Sequence, residues 1–277
     1  MVKTPDIAVI MAAYNADGTL PDAVASVLAS TVPVHLFVVD DASGTPAEMV
    51  LRNAFGCVPD WVEVIRNHCN LGVSATRNRA LRHILAEGYR YAAVLDADDI
   101  AHPERFEKQA AYLNTHSCVA AVGSWANAVD EHTLAVVRRV LYPSSDPETV
   151  RRDLCFDSPI VNSSVMFRVD ALREVGLWDE RLRTAEDYDL FCRLAARFDL
   201  ANLPEILVDF RLCRTGLSRA GINAQRRARL RVQLRYFPER AWRWQAWAGI
   251  VRSTVRLLVP TSLVEGMKSR RIAVERT

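Results

Sequence analysis

Tyr91-Ala92-Ala93-Val94-Leu95-Asp96-Ala97-Asp98-Asp99 joins an apolar run to three carboxylates within four positions. The first five residues read as a buried strand: short, apolar and followed at once by polar residues. Three carboxylates cannot stay inside such a strand, because unpaired buried charge is very costly. They must emerge at its end, in a crevice. Two readings are open there. One is a site for a hard divalent cation, Mg²⁺ or Mn²⁺, which takes one or two carboxylates together with phosphate oxygens and water. The other is a solvated turn that caps the next helix.

Upstream of this stretch the same pattern repeats. Ile7-Ala8-Val9-Ile10-Met11-Ala12-Ala13 predicts a first buried strand, and apolar residues at helical spacing predict a helix over about 20–29. His35-Leu36-Phe37-Val38-Val39 predicts a second strand, ending in Asp40-Asp41, with Pro46 suited to the first turn of the helix that follows. A third strand is expected over 61–65, a turn at Asn70-Leu71-Gly72, and a helix from Val73 to about Glu87, stopped by Gly88. This strand–helix alternation argues for a mostly parallel sheet flanked by helices. Ligands of such sheets bind beyond the carboxyl ends of the strands. Three of those ends carry Tyr14-Asn15, Asp40-Asp41 and Asp96-Asp98-Asp99, which converge in one crevice. Downstream, a helix is expected to about residue 114, strands over 119–129, 134–142 and 163–168, and a helix from the Ala185-Glu186-Asp187-Tyr188-Asp189 stretch to about 197.

Composition narrows the class. Of the 277 residues, half are hydrophobic and a quarter charged, as in an ordinary globular protein. The net charge of +2 hides an asymmetry: residues 1–210 hold 19 Lys and Arg against 30 Asp and Glu, and residues 211–277 hold 16 against 3. The six cysteines form no C-x-x-C pair and read as reduced thiols, which fits a cytoplasmic protein. No stretch reads as a signal peptide or reaches the roughly 20 apolar residues of a spanning helix. Neither G-x-G-x-x-G after the first strand nor G-x-x-x-x-G-K-[ST] anywhere is present, which argues against a dinucleotide oxidoreductase and a P-loop NTPase.

Seven stretches taken in order carry a family resemblance: I-A-V-I-M-A-A-Y-N (7–15), V-V-D-D-A-S (38–43), N-L-G-V-S-A-T-R-N-R-A-L (70–81), V-L-D-A-D-D (94–99), N-S-S-V-M-F-R (162–168), E-V-G-L-W-D-E (174–180) and A-E-D-Y-D-L (185–190). No one of them is specific, but the ordered set, covering about residues 5–217, resembles the inverting family 2 glycosyltransferases of the GT-A fold. The resemblance implies an α/β fold with a Rossmann-like sheet, and transfer of a sugar from a nucleotide diphosphate donor, a UDP-sugar foremost, with Mn²⁺ or Mg²⁺. The acceptor it implies is a glycan or lipid-linked glycan of surface polysaccharide assembly. It also implies roles. Ala13, Tyr14 and Asn15 line the nucleotide site, and Asp41 accepts the ring N–H of a uracil-type base. Arg77 reaches the donor phosphates. Asp96 and Asp98 form the D-x-D motif, with Asp98 on the metal and Asp96 on ribose or a metal-bound water. Asp187 is the general base, and Glu186 positions the acceptor or the loop. From the residues alone, other readings stay open: Asp41 as a charge near a helix N-cap, Arg77 as a solvated helix residue and Asp187 as an ordinary acidic first turn. Two positions depart from the family pattern: Ala13 stands where Pro is frequent, and Cys213 where many members carry a metal-completing His. A thiol suits Mg²⁺ or Mn²⁺ poorly.

The glycosyltransferase domain is expected over 1–221, with a basic helical tail over 222–277. The tail carries Arg226, Arg227, Arg229, Arg231 and Arg235, then Trp242, Trp244 and Trp247. On a helix, Trp244, Trp247, Val251, Val255 and Leu258 share a face from which Arg252 and Arg256 fall away. Three readings are open: an in-plane contact with an anionic membrane surface on the inner face of the cytoplasmic membrane, packing or oligomerisation, and, least favoured, nucleic-acid binding. Two rivals to the enzyme reading are a nucleotidyltransferase, which would want a Gly-rich basic loop where Ala13–Asp17 stands, and a non-catalytic scaffold that binds nucleotide or membrane.

Overall fold

The run Ile7–Ala13 forms strand β1 with every residue buried except Ala12. The computed structural model describes residues 5–142, 146–212, 222–237 and 243–258. From β1 the chain alternates as its apolar runs dictate: α1 (Leu20–Leu28), β2 (His35–Asp40), α2 (Ala47–Phe55), β3 (Val62–Arg66), α3 (Val73–Glu87) and β4 (Tyr91–Val94). The second half contains β5 (Ile100–Ala101), α4 (Arg105–Thr115), β6 (Val119–Asp130), β7 (Val136–Val140), α5 (Pro147–Leu154), β8 (Met166–Arg168), α6 (Val169–Val175), α7 (Glu186–Leu194) and β9 (Asp199–Leu212). Two helices follow, α8 (Ile222–Tyr236) and α9 (Arg243–Leu258).

The described strands form one sheet in the order β3-β2-β1-β4-β8-β6-β9-β5, with β7 on β6. The β3-β2-β1-β4 half is parallel. Beyond it β8 runs antiparallel to both β4 and β6, and β9 runs parallel to β6. Apolar clusters cover both faces. One lies beneath α3, α6 and α7, and the other beneath α1, α2 and α4. This burial of Ile, Val, Leu and Phe is the main force holding the layers together, at about 25 cal/mol per Å² of apolar surface.

Three differences from the sequence reading have physical causes. The strand expected over 163–168 is shorter, because Asn162–Ser164 is a 3-10 turn in which Ser164 bonds its backbone N–H and its hydroxyl to the Val161 carbonyl. The helix at 185 ends at Leu194 rather than near Arg197. Strand β9 was not expected. Its run is interrupted by Asn202, Pro204 and Glu205, and the sheet accommodates them by register shifts against β6.

The register sets the functional end. Ala13 lies opposite Asp40, and Leu95 N–H bonds to the Ile10 carbonyl at 3.1 Å. The ends of β1, β2 and β4 therefore stop side by side. On the tail side, α8 and α9 pack on the body. A Cβ on Gly249 would come within 1.9 Å of the Cys155 carbonyl oxygen, and the buried Gln233 Nε2 donates to the same oxygen at 3.1 Å. Only a glycine lets α9 approach this closely. Among the described residues, no helix is long and apolar enough to cross a membrane.

Candidate active site

A cavity of about 610 Å³ opens where β1 and β4 end, and its walls include Tyr14, Asn15, Arg77, Asp96, Asp98, Glu186 and Asp187. Seven of the nine residues predicted from sequence thus meet, from segments far apart in the chain. Ala13 and Asp41 stand behind the wall. Ala13 is buried, and its neighbour Ala12 faces the cavity instead, as strand alternation requires. Asp41 is buried too, and its oxygens accept from Asn67 Nδ2 (2.8 Å), Leu71 N (2.8 Å) and Gly72 N (3.0 Å). It thereby holds the loop that starts α3. The carboxylate that meets the start of α2 is Asp40, not Asp41: Asp40 accepts from the backbone N–H groups of Ser43 (2.8 Å) and Ala47 (3.1 Å) and pairs with Arg66 (2.8 Å).

The three carboxylates after β4 separate. Asp99 turns inward and accepts the Arg211 backbone N–H at 3.0 Å, which ties the loop to the end of β9. Burial, and then the charges of Asp96 and Asp98, raise its pKa well above the usual carboxylate value. Asp96 and Asp98 face the cavity, and the Asp96 N–H is held by Ser163 Oγ at 2.9 Å. Among the described residues no three His, Cys, Asp or Glu side chains converge as a metal cage. A pair of carboxylates at an open cavity fits a hard cation that completes its shell with substrate phosphates and water. Cys213 lies outside the described residues.

Arg77 links the two acidic groups. Its side chain is 4% exposed, with Nη2 at 2.6 Å from Asp96 Oδ1 and Nη1 at 3.1 Å from Glu186 Oε1. Burial opposes its charge, but Asp96, Glu186 and Asp187 together outweigh that and raise its pKa. Glu186 and Asp187 open α7, where the helix N-terminus favours negative charge. Burial first, and the adjacent Asp187 second, push Glu186 up to about 7. Burial likewise raises Asp187, against the Tyr188 N–H it accepts at 2.7 Å and the charges of Arg77 and Arg229. Ala185, just before them, is held in the left-handed region at φ 61°. Such strain in a non-glycine residue costs about 1–2 kcal/mol and clusters at functional sites.

The sequence reading missed Ser158, Arg183, Gln225 and Arg229 on the cavity wall. Arg183 lies three residues before Glu186, which was a usable signal. Gln225 and Arg229 belong to α8, beyond the boundary drawn at residue 221, and sat inside a run that read as a basic tail.

An open nucleotide-sized cavity at the carboxyl ends of a Rossmann-like sheet, with D-x-D on one side and an acidic pair on the other, is the arrangement of a GT-A glycosyltransferase. The model of the family described as "Glycosyl transferase family 2" matches residues 8–176, and the chain belongs to that family. An uncharacterized glycosyltransferase of Haemophilus influenzae is 28% identical over 221 residues, covering 76% of this chain and 67% of that one. The amylovoran biosynthesis glycosyltransferase AmsE of Erwinia amylovora is 32% identical over 143 residues, 51% of each chain. Among solved structures, S. aureus TarS 1-349 in complex with UDP superposes with a TM-score of 0.65 at 19% identity, covering 88% of this chain and 70% of that one. That likeness shows the shared fold.

Proposed function

We propose that this glycosyltransferase is metal-dependent and inverting, and that it moves a sugar from a UDP-sugar to a glycan or lipid-linked glycan during surface polysaccharide synthesis. The observation that carries this reading is one buried arginine, Arg77, bonded to both Asp96 and Glu186. It couples the donor-side and acceptor-side carboxylates across one cavity. UDP bound by TarS and the amylovoran role of AmsE support the donor and the setting.

In this reading Asp98, with Asp96, holds Mn²⁺ or Mg²⁺. The ion, when bound, offsets the negative charge that builds on the leaving diphosphate. Tyr14, exposed at the cavity wall, and Asn15 flank the nucleotide. Asp41 keeps about one of its roughly four lone-pair positions for the base N–H. Asp187 accepts the proton of the acceptor hydroxyl as that oxygen attacks the anomeric carbon from the face opposite the diphosphate. Its raised pKa places it nearer the working range of a general base than an exposed aspartate. Glu186, fixed by Arg77, positions the acceptor. Arg77, which lines the same cavity, orients these carboxylates with one bond from each Nη group and meets the donor phosphates with N–H donors that remain.

A membrane surface is part of the same proposal. Trp244, Trp247, Val251 and Val255 form an exposed apolar stripe along α9, while Ala246, Gly249 and Ile250 face the body. Leu258 and Trp242 carry no described side-chain environment. With the positive charge of residues 211–277, this stripe suits anionic lipid.

The test is release of nucleoside diphosphate from UDP-, GDP- and dTDP-sugars, with Mn²⁺ or Mg²⁺ and with EDTA, on the wild type and Asp98→Ala. Metal-dependent release from a UDP-sugar, lost in Asp98→Ala, is expected. Equal release in EDTA would refute the metal, and a GDP- or dTDP-sugar as the preferred donor would refute the base.

A further inference from the structure

Behind the acidic end of the cavity lies a group of arginines that the transfer reaction above does not use. Arg229 reaches from α8 to Asp157, with Nη1 at 2.7 Å from Oδ1, and also lines the cavity. Its Nε is buried with no hydrogen-bond partner among the described residues. Arg256 of α9 faces the other oxygen of Asp157 at 3.9 Å. Arg226 caps the end of α9, donating from Nη1 to the Arg256 carbonyl at 3.0 Å. Arg252 adds to the same field, its guanidinium 5.9 Å from the centre of the Phe156 ring.

Two guanidiniums, those of Arg229 and Arg256, thus share one carboxylate, and Arg226 is bonded to the backbone of Arg256 beside them. Burial, then Arg252, and also Arg229 and Arg226, hold the pKa of Arg256 below its ordinary value despite Asp157. A half-buried cation repelled by its neighbours is relieved by a bound anion, and guanidiniums match phosphate in geometry as well as charge. The position of the group decides which anion. Arg229 acts on Asp187, the proposed base, and Ser158, next to Asp157, lines the same cavity. Through Arg229 the cluster therefore meets the cavity beside Asp187, the end where the nucleophile enters.

We propose that Arg226, Arg229 and Arg256 form a phosphate-binding subsite for the acceptor, taking a phosphate or diphosphate group carried by the molecule that receives the sugar. This rests on the glycosyltransferase reading of the cavity. It explains why α8 and α9 are packed onto the catalytic body rather than trailing from it. It also places the subsite between α8 and α9, the helix whose outer face carries the Trp244–Val255 stripe.

The experiment is titration calorimetry on the full chain with farnesyl phosphate and with its uncharged alcohol, farnesol. Farnesyl phosphate is expected to bind, to be displaced by inorganic phosphate, and to weaken as NaCl rises. Farnesol is expected to bind at least about tenfold more weakly, the loss of charge-assisted hydrogen bonds. Arg256→Gln should weaken farnesyl phosphate binding about tenfold, with Arg256→Lys in between. Equal affinity for phosphate and alcohol, or no displacement of farnesyl phosphate by inorganic phosphate from the unaltered protein, would overturn the subsite. Flotation with phosphatidylcholine vesicles, with and without phosphatidylglycerol, separates the other source of phosphate. If Arg256→Gln loses vesicle binding but keeps farnesyl phosphate at wild-type affinity, the cluster reads lipid headgroups and the proposal fails. A UDP titration with Mn²⁺ on the wild type reads the donor site independently. UDP binding without farnesyl phosphate binding overturns the subsite alone, and the reverse overturns the donor reading alone.

Discussion

Arg77 is the residue on which the site's electrostatics turn. Nearly all of its side chain is out of water, and it answers the charge of Asp96, Glu186 and Asp187. Removing one partner of a buried ion pair leaves the others uncompensated, at a typical cost of about 3–5 kcal/mol. Arg77→Gln is therefore expected to lower stability by roughly that amount in urea unfolding, more than truncation of the exposed Arg82. Glu186 gives a pH signature. Its pKa rises from an ordinary 4.5 to about 7 on folding, so the native state holds a proton that the unfolded state releases. This group therefore reduces stability as pH rises through that window and is without effect below it. Unfolding of the metal-free protein at pH 5 and pH 7 should show that loss, and Glu186→Gln should remove the part of the slope that belongs to this side chain. The Arg77–Glu186 bond spans 109 positions of sequence. No local pattern announces it, which is why Arg77 reads from sequence as a phosphate contact or a solvated helix residue.

At the scale of elements, legibility followed abrupt changes in polarity. Strand β1 and helix α3 have the expected bounds because apolar periodicity ends sharply at Tyr14 and at Gly88. The residues at the strand ends were legible for the same reason: a carboxylate that follows a buried run has to emerge at the crevice. Strand β9 was not, since its identity depends on pairing with β6, and Pro204 and Glu205 break its own pattern. Helices α8 and α9 were legible as helices but not as parts of the site. The close approach of α9 at Gly249 is a tertiary fact with a direct test. Gly249→Ala places a methyl group against a backbone carbonyl that cannot move aside cheaply. It should destabilise the docked helix by about 1–3 kcal/mol, read as a lower melting temperature and faster proteolysis within α9. An unchanged melting temperature would mean that α9 does not dock as described.

For the whole molecule, the arrangement is a catalytic body with a reaction cavity and a helix pair, of which α8 closes the cavity wall and α9 presents an apolar stripe. The stripe is exposed, with Trp244 at 71% and Trp247 at 54%, so replacing both with Ser should leave thermal stability nearly unchanged. The same double variant should lose flotation with phosphatidylglycerol-containing vesicles, and undiminished flotation would rule out the stripe as the contact. In the function proposed above, Asp187 is the base of a transfer whose donor is held elsewhere in the cavity. Its most direct test is Asp187→Asn, with nucleoside diphosphate release and Mn²⁺-dependent UDP binding measured on the same preparation. Release should fall by about 10²–10⁴-fold, the usual contribution of a positioned general base, with UDP affinity preserved. Release at the wild-type rate, or loss of UDP binding in step with activity, would contradict it.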